Sequence, residues 1–228
     1  MPLLILQHGF TGNMEERHIR AVAEAVNGIG FACLRTELYG HGGSDGAFRD
    51  HTVGKWVEEM LTVIDYAGAL DFTDGLYLAG HSQGGLTAML AAAMKHDVLR
   101  GLLPLAPATV IREDALAGRL FGVHYDPDCI PETVQVPWKG ELGGNYFRVA
   151  QLLPIETAID RFKGPVLIVH ADTDESVPVS YAEAAAERYA NAELKIIRGD
   201  THCYDRHLPE VTAAVTEFLQ RIEKNART

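Results

Sequence analysis

The chain reads as an α/β protein built on one mostly parallel sheet with helices on both faces. Two observations carry that reading. Short, continuously apolar, β-rich runs alternate with helix-length patterned segments along the 228 residues, and strands that lack polar alternation are those buried on both faces. One such run, Leu76-Tyr77-Leu78-Ala79, ends on Gly80-His81-Ser82-Gln83-Gly84 and passes into the helix-prone stretch 86–94. A G-x-S-x-G sequence between strand and helix marks a sharp turn, which strains the serine backbone and exposes its hydroxyl at the carboxyl edge of the sheet.

The elements follow in order. Residues 3–7 read as a strand and 15–27 as a helix with alanines and valines on one face. Residues 31–38 are strand-like and 53–70 helical, followed by the strand 76–79, the helix after Ser82 and the strand 101–105. The buried-looking strand 166–170, the alanine-rich helix 179–190, the strand 194–197 and a last helix near 208–223 complete the pattern. No repeat or low-complexity segment interrupts it, and the length suits one domain.

One long stretch does not fit the alternation. From about 107 to 161 the chain is rich in Pro, Gly and aromatic residues, among them Phe121, Tyr125, Trp138, Tyr146 and Phe147. It leaves the sheet at a strand's carboxyl end, where ligands bind in open α/β folds. A compact domain seldom carries so long an irregular stretch without a task for it. It is read as a cap inserted over Ser82.

Composition sets outer limits. An apolar fraction of 47% with 22% charged residues is ordinary for a globular chain, and the formal net charge of −11 disfavours nucleic acid and anionic membrane as partners. No stretch is long and apolar enough to span a bilayer, and the opening Met1-Pro2-Leu3-Leu4 lacks the basic flank and cleavage site of a signal peptide. Cys33, Cys129 and Cys203 show neither metal-ligand spacing nor a disulfide framework, so the expected compartment is the cytoplasm.

A serine nucleophile needs a base, an acid that orients the base, and an oxyanion site. With this kind of elbow the expected chain order is Ser, then Asp or Glu, then His. After the strand 166–170 comes Asp172-Thr173-Asp174-Glu175-Ser176-Val177-Pro178. Asp174 lies further round this turn and leads into a helix, which favours it as the acid. Asp172 and Asp200 suit turn or capping roles. His202 follows the last strand in Gly199-Asp200-Thr201-His202, at the same sheet edge, and is the expected base. The loop His8-Gly9-Phe10-Thr11-Gly12 can turn the Phe10 N–H toward a reacting carbonyl, with the Gln83 N–H as second oxyanion donor. Gly40-His41-Gly42-Gly43-Ser44-Asp45-Gly46 lacks the Lys-Ser/Thr of a phosphate loop and is read as structural.

These motifs resemble the α/β-hydrolase fold over nearly the whole chain. H-G-F-T-G, G-H-G-G-S-D-G, G-H-S-Q-G-G, L-A-P-A and the cap stretches at 122–127 and 142–148 are similar to bacterial feruloyl (cinnamoyl) esterases. The resemblance implies Ser82 as nucleophile, His202 as base, Asp174 as acid, and Phe10 and Gln83 as oxyanion donors. It further implies that Asp114 and Tyr146 bind the ring hydroxyl of a hydroxycinnamate, with Phe121 at a neighbouring position where relatives can carry glutamine. The implied partner is a small-molecule ester, and no metal or cofactor is required. The N-terminal β-hairpin of relatives is missing, which leaves 31–38 as a sheet edge. A natural short form, a start assigned too late, or a homodimer whose second subunit covers that edge would each account for this. Rival readings on the same motifs are a short-acyl esterase, a thioesterase, a small peptidase and a non-catalytic binding protein.

Overall fold

The apolar runs form one six-stranded sheet in the computed structural model, which describes residues 1–227. In chain order the elements before the cap are β1 (Pro2–Gln7), α1 (Arg17–Gly28), β2 (Ala32–Thr36), α2 (Val53–Gly68), β3 (Gly75–His81), α3 (Gln83–Met94) and β4 (Leu99–Leu105). Those after it are β9 (Val166–Ala171), α7 (Val179–Arg188), β10 (Ala192–Ile197) and α8 (Leu208–Ala226). The strand order is β10-β9-β4-β3-β1-β2, and every neighbouring pair is parallel. All carboxyl ends therefore meet at one rim, which is where the loops after β1, β3, β4, β9 and β10 gather.

Alternate residues of each strand feed two cores. Leu3, Ile5, Leu78, Leu102 and Ile168 pack with Trp56 and Met60 of α2 and the buried face of α7. Leu4, Leu6, Tyr77, Leu103 and Val169 face the other way, onto Ile19 and Val22 of α1 and Val215 and Phe218 of α8. The period of two thus supplies both layers from uninterrupted apolar strands. Helix α3 is buried all round from Gln83 to Ala93, as expected of a helix apolar on every side.

Several boundaries differ from the sequence reading. Helix α1 starts at Arg17 rather than residue 15, because Glu16 keeps an extended conformation (ψ 143°) and its N–H is turned back to the Asn13 carbonyl. Strand β3 runs on to His81, so Ser82 alone separates it from α3. Strand β2 ends at Thr36 and lies, half-buried throughout, at a sheet edge.

The insertion is ordered rather than irregular. It contains α4 (Val110–Leu116), the antiparallel hairpins β5 (Arg119–Leu120) with β6 (Val123–His124) and β7 (Thr133–Val136) with β8 (Gly140–Gly143), then α5 (Gly144–Gln151) and α6 (Ile155–Arg161). The first hairpin turns on Phe121 and Gly122 alone, both at positive φ (56° and 75°), as a two-residue I′ loop demands. That turn puts a phenylalanine ring at the hairpin tip.

Close backbone approach fixes the central turn. A Cβ on Gly84 would land on the His8 carbonyl oxygen, one on Gly80 on the Gly84 carbonyl oxygen, and one on Gly85 would stand 2.9 Å from the Gly80 oxygen. These are backbone atoms that cannot swing aside. Gly84→Ala is expected to lower the unfolding free energy by about 3 kcal/mol, the upper end for overpacking, as measured by urea denaturation.

Candidate active site

Strand, turn and helix hold Ser82 in the left-handed region, at φ 56° and ψ −121°. The Ser82 N–H donates to the Leu105 carbonyl (2.9 Å), and its own carbonyl accepts from Leu86 and Ala108 (3.0 Å each). Gly9 comes so close that a Cβ there would sit 2.9 Å from Ser82 Cβ. Among the described residues, the other non-glycines at positive φ are Thr11, Ala106, Phe121 and Tyr204. Thr11, Ala106 and Tyr204 follow β1, β4 and His202, and Phe121 is the hairpin tip. Backbone strain is concentrated around this one site.

The loop after β9 turns Asp174 inward. Its Oδ1 accepts the N–H groups of Ser176 and Val177 (2.8 Å each), and its Oδ2 accepts from His202 Nδ1 at 2.7 Å. The carboxylate is fully buried. Burial alone would raise its pKa, but the His202 contact and the two backbone donors outweigh that and hold it below the usual range. With Nδ1 committed to Asp174, His202 Nε2 carries the free lone pair. Asp172 instead accepts from the Gly199 N–H (2.6 Å) and Arg198. Asp200 accepts from the N–H groups of Thr201, Arg206 and His207. Both aspartates staple the loops that carry Asp174 and His202.

Further groups hold the histidine. Its N–H donates to the Glu175 carboxylate (3.2 Å), and its carbonyl accepts from His81 Nε2 (2.9 Å). His170 donates through Nε2 to the Val177 carbonyl (2.9 Å) and stands 3.3 Å from Asp174 Oδ2. The sequence reading passed over Glu175, His81 and His170. His81 lies inside the elbow motif and Glu175 beside Asp174, so adjacency to the motifs was the available signal.

Ser82, His202, Phe10 and Gln83 line one cavity of about 600 Å³. Its cap wall is Val110, Ile111, Asp114, Leu120, Phe121 and Trp138, and Glu16 and Glu175 also face it. The Phe10 and Phe121 rings stack at 4.0 Å and 7°. Asp114 lies within α4 and accepts from Arg119 Nε (3.2 Å). Tyr146 departs from the ring-hydroxyl role that the resemblance implied. It is fully buried and its hydroxyl donates to Gln83 Oε1 (2.6 Å), so it braces the residue after Ser82 instead of facing the cavity.

A family model described as "Serine aminopeptidase, S33" (Hydrolase_4) matches residues 2–125. The chain belongs to this family of α/β hydrolases. The hydrolase is 52% identical to Est1E of Butyrivibrio proteoclasticus, solved with ferulic acid bound, over 98% of this chain and 90% of that one, with a TM-score of 0.96. It is also 32% identical over 210 residues to the rat mitochondrial palmitoyl-protein thioesterase ABHD10, covering 86% of this chain and 66% of the rat protein's length. The mouse ABHD10 structure superimposes with a TM-score of 0.81 at 20% identity, a likeness of fold. Among the described residues of the hydrolase no helix is long and apolar enough to cross a membrane.

Buried imidazoles surround the elbow. Burial pushes His18 and His51 down to about 4 and His41 down to about 3, from an ordinary 6.5. In the unfolded chain the same groups protonate near 6.5, so falling pH draws protons into the unfolded state. Their contribution to stability is complete above pH 6.5 and is lost progressively toward pH 4. Thermal unfolding followed by circular dichroism at pH 7.5 and pH 5 is expected to show a Tm drop of more than about 3 °C, the shift that ~1 kcal/mol gives in a chain of this size.

Proposed function

We propose that this hydrolase is a serine carboxylesterase that cleaves hydroxycinnamate or related aryl esters through an acyl-enzyme. The observation that carries the chemistry is the Asp174–His202 contact at 2.7 Å, with His202 and the strained Ser82 facing the same cavity. Ser82 Oγ attacks the ester carbonyl while His202 Nε2 takes its proton, and the buried Asp174 carboxylate stabilises the imidazolium. The Phe10 and Gln83 N–H groups stabilise the tetrahedral oxyanion, helped by the N-terminus of α3. His202 then protonates the leaving alcohol, and water repeats the cycle on the acyl-enzyme. The substrate reading draws on the aromatic cap wall and on the 52% identity to a protein solved with ferulic acid bound.

Substrate contacts follow from the wall. Phe121, stacked on Phe10, offers a flat apolar surface for an aryl ring, and Asp114 can accept from a phenolic hydroxyl. The cavity's lining residues include Glu16, Asp114 and Glu175 and no lysine or arginine, which favours a neutral ester as partner over an anionic one. The free thiols of Cys33, Cys129 and Cys203 support a cytoplasmic setting.

Ser82→Ala is expected to cut kcat/KM on methyl ferulate by about 10⁴-fold or more, and Asp174→Asn by about 10⁴-fold, with unchanged circular dichroism. A folded Ser82→Ala protein with near-native turnover would exclude the mechanism. In a panel of methyl ferulate, p-nitrophenyl butyrate and a palmitoyl thioester, methyl ferulate should give the highest kcat/KM. Preference for the thioester, the chemistry named for the rat relative, would replace the substrate assignment while leaving the mechanism intact.

A further inference from the structure

The loop that carries the Phe10 N–H has an unusual support. Thr11, the next residue, is held at φ 62°, where a β-branched side chain is rarely tolerated. Two hydrogen bonds fix the turn. The Gly12 N–H donates to the Gly9 carbonyl (3.1 Å), and the Thr11 N–H donates to His41 Nε2 (3.1 Å). A ring nitrogen that accepts carries no proton, so the proton of His41 is on Nδ1, which faces the Tyr39 carbonyl at 3.2 Å. That carbonyl also accepts from Trp56 Nε1 (3.1 Å).

His41 is itself immobilised. The ring is buried and packs edge-on against His51 and Trp56, each at 4.8 Å. Its stretch, Gly40 to Gly46, is tied down by Glu37, whose carboxylate accepts from Gly43 N–H (2.7 Å) and Met14 N–H (3.2 Å). The Ser44 hydroxyl donates to the Glu37 carbonyl (2.6 Å), and the Gly40 N–H to the Asp45 carbonyl (2.9 Å). Burial also keeps the imidazole neutral at working pH, so its acceptor face persists.

We infer that His41 is the positioning residue of the oxyanion site: its Nε2 lone pair fixes the peptide after Phe10 and thereby the aim of the Phe10 N–H. This rests on the proposed attack by Ser82 on an ester carbonyl. His41 touches no reacting atom. It acts through a loop whose misplacement by 1 Å is worth ~10²-fold in rate.

Two substitutions separate the two ring nitrogens. In His41→Gln the side-chain amide oxygen reaches the place of Nε2 and can still accept from Thr11. In His41→Asn the amide reaches only the place of Nδ1 and leaves the Thr11 N–H without a partner. On methyl ferulate the Asn variant is expected to lose about 10- to 100-fold in kcat with KM changed less than about threefold, and the Gln variant to recover most of that loss. Affinity for phenylboronic acid, whose Ser82 adduct mimics the tetrahedral state, should fall in parallel with kcat, while affinity for ferulate stays level. In the wild-type protein, ¹⁵N spectra of the imidazoles should show His41 Nε2 unprotonated and Nδ1 protonated, a readout independent of how the variants fold. Equal kcat and boronate affinity in the Gln and Asn variants, or the opposite tautomer in the wild type, would overturn the inference. An active Ser82→Ala protein would instead overturn the reading beneath it.

Discussion

Everything at the rim depends on Ser82 occupying a backbone conformation that costs about 1–3 kcal/mol. The cost is sustained because the neighbouring chain presents hydrogen atoms where other residues would present a Cβ. Gly84 passes over the His8 carbonyl, Gly80 under the Gly84 carbonyl, and Gly9 beside Ser82 Cβ. Three hydrogen bonds to Leu105, Leu86 and Ala108 then close the turn from both sides. A segment so tightly enclosed cannot relax toward ordinary dihedrals, so the hydroxyl stays exposed at the end of β3. The two cores on either side of the sheet, with α3 buried in the first of them, are the scaffold that makes this enclosure rigid.

Around that turn the protein keeps its titratable groups in distinct states. Burial drives His18, His41, His51 and His81 toward neutrality, and hydrogen bonds hold His41 to Thr11 and Tyr39 and His81 to the His202 carbonyl. The Asp174 carboxylate takes the opposite course, held ionised by His202 and two backbone N–H groups in spite of its burial. Two imidazoles stand against this anion, and burial drives His170 toward neutrality, so in the proposed mechanism the counter-charge it stabilises is the imidazolium of His202. The low polarity of the surroundings strengthens that preference.

Much of this was legible in the sequence because it follows from period and order. Apolar runs without alternation gave a parallel sheet, and the order Ser82, Asp174, His202 along the chain placed all three at carboxyl ends that parallel pairing brings to one rim. The choice of Asp174 over Asp172 rested on its place further round the turn, just before a helix. Both carboxylates reach the neighbouring loop, Asp172 to the Gly199 N–H and Asp174 to the His202 ring. What escaped the sequence depends on contacts between distant segments. Hairpins of two to four residues in the cap have no period to detect. The Tyr146 hydroxyl finds Gln83, 63 positions away, and the Thr11 N–H finds His41, 30 positions away. Nothing in composition announces such pairings, and the stretch around His41 therefore passed for an inert connector.

The stack between Phe10 and Phe121 has a consequence for how such a protein can diversify. Phe10 lines the cavity with Ser82, and its ring stacks on Phe121 at the tip of the β5–β6 hairpin. In the proposed mechanism the surface that meets the acyl group and the N–H that meets the developing charge then belong to a single residue. An exchange of the cap for one with a different acyl pocket would also shift the loop after β1. In this architecture selectivity and rate are inherited together.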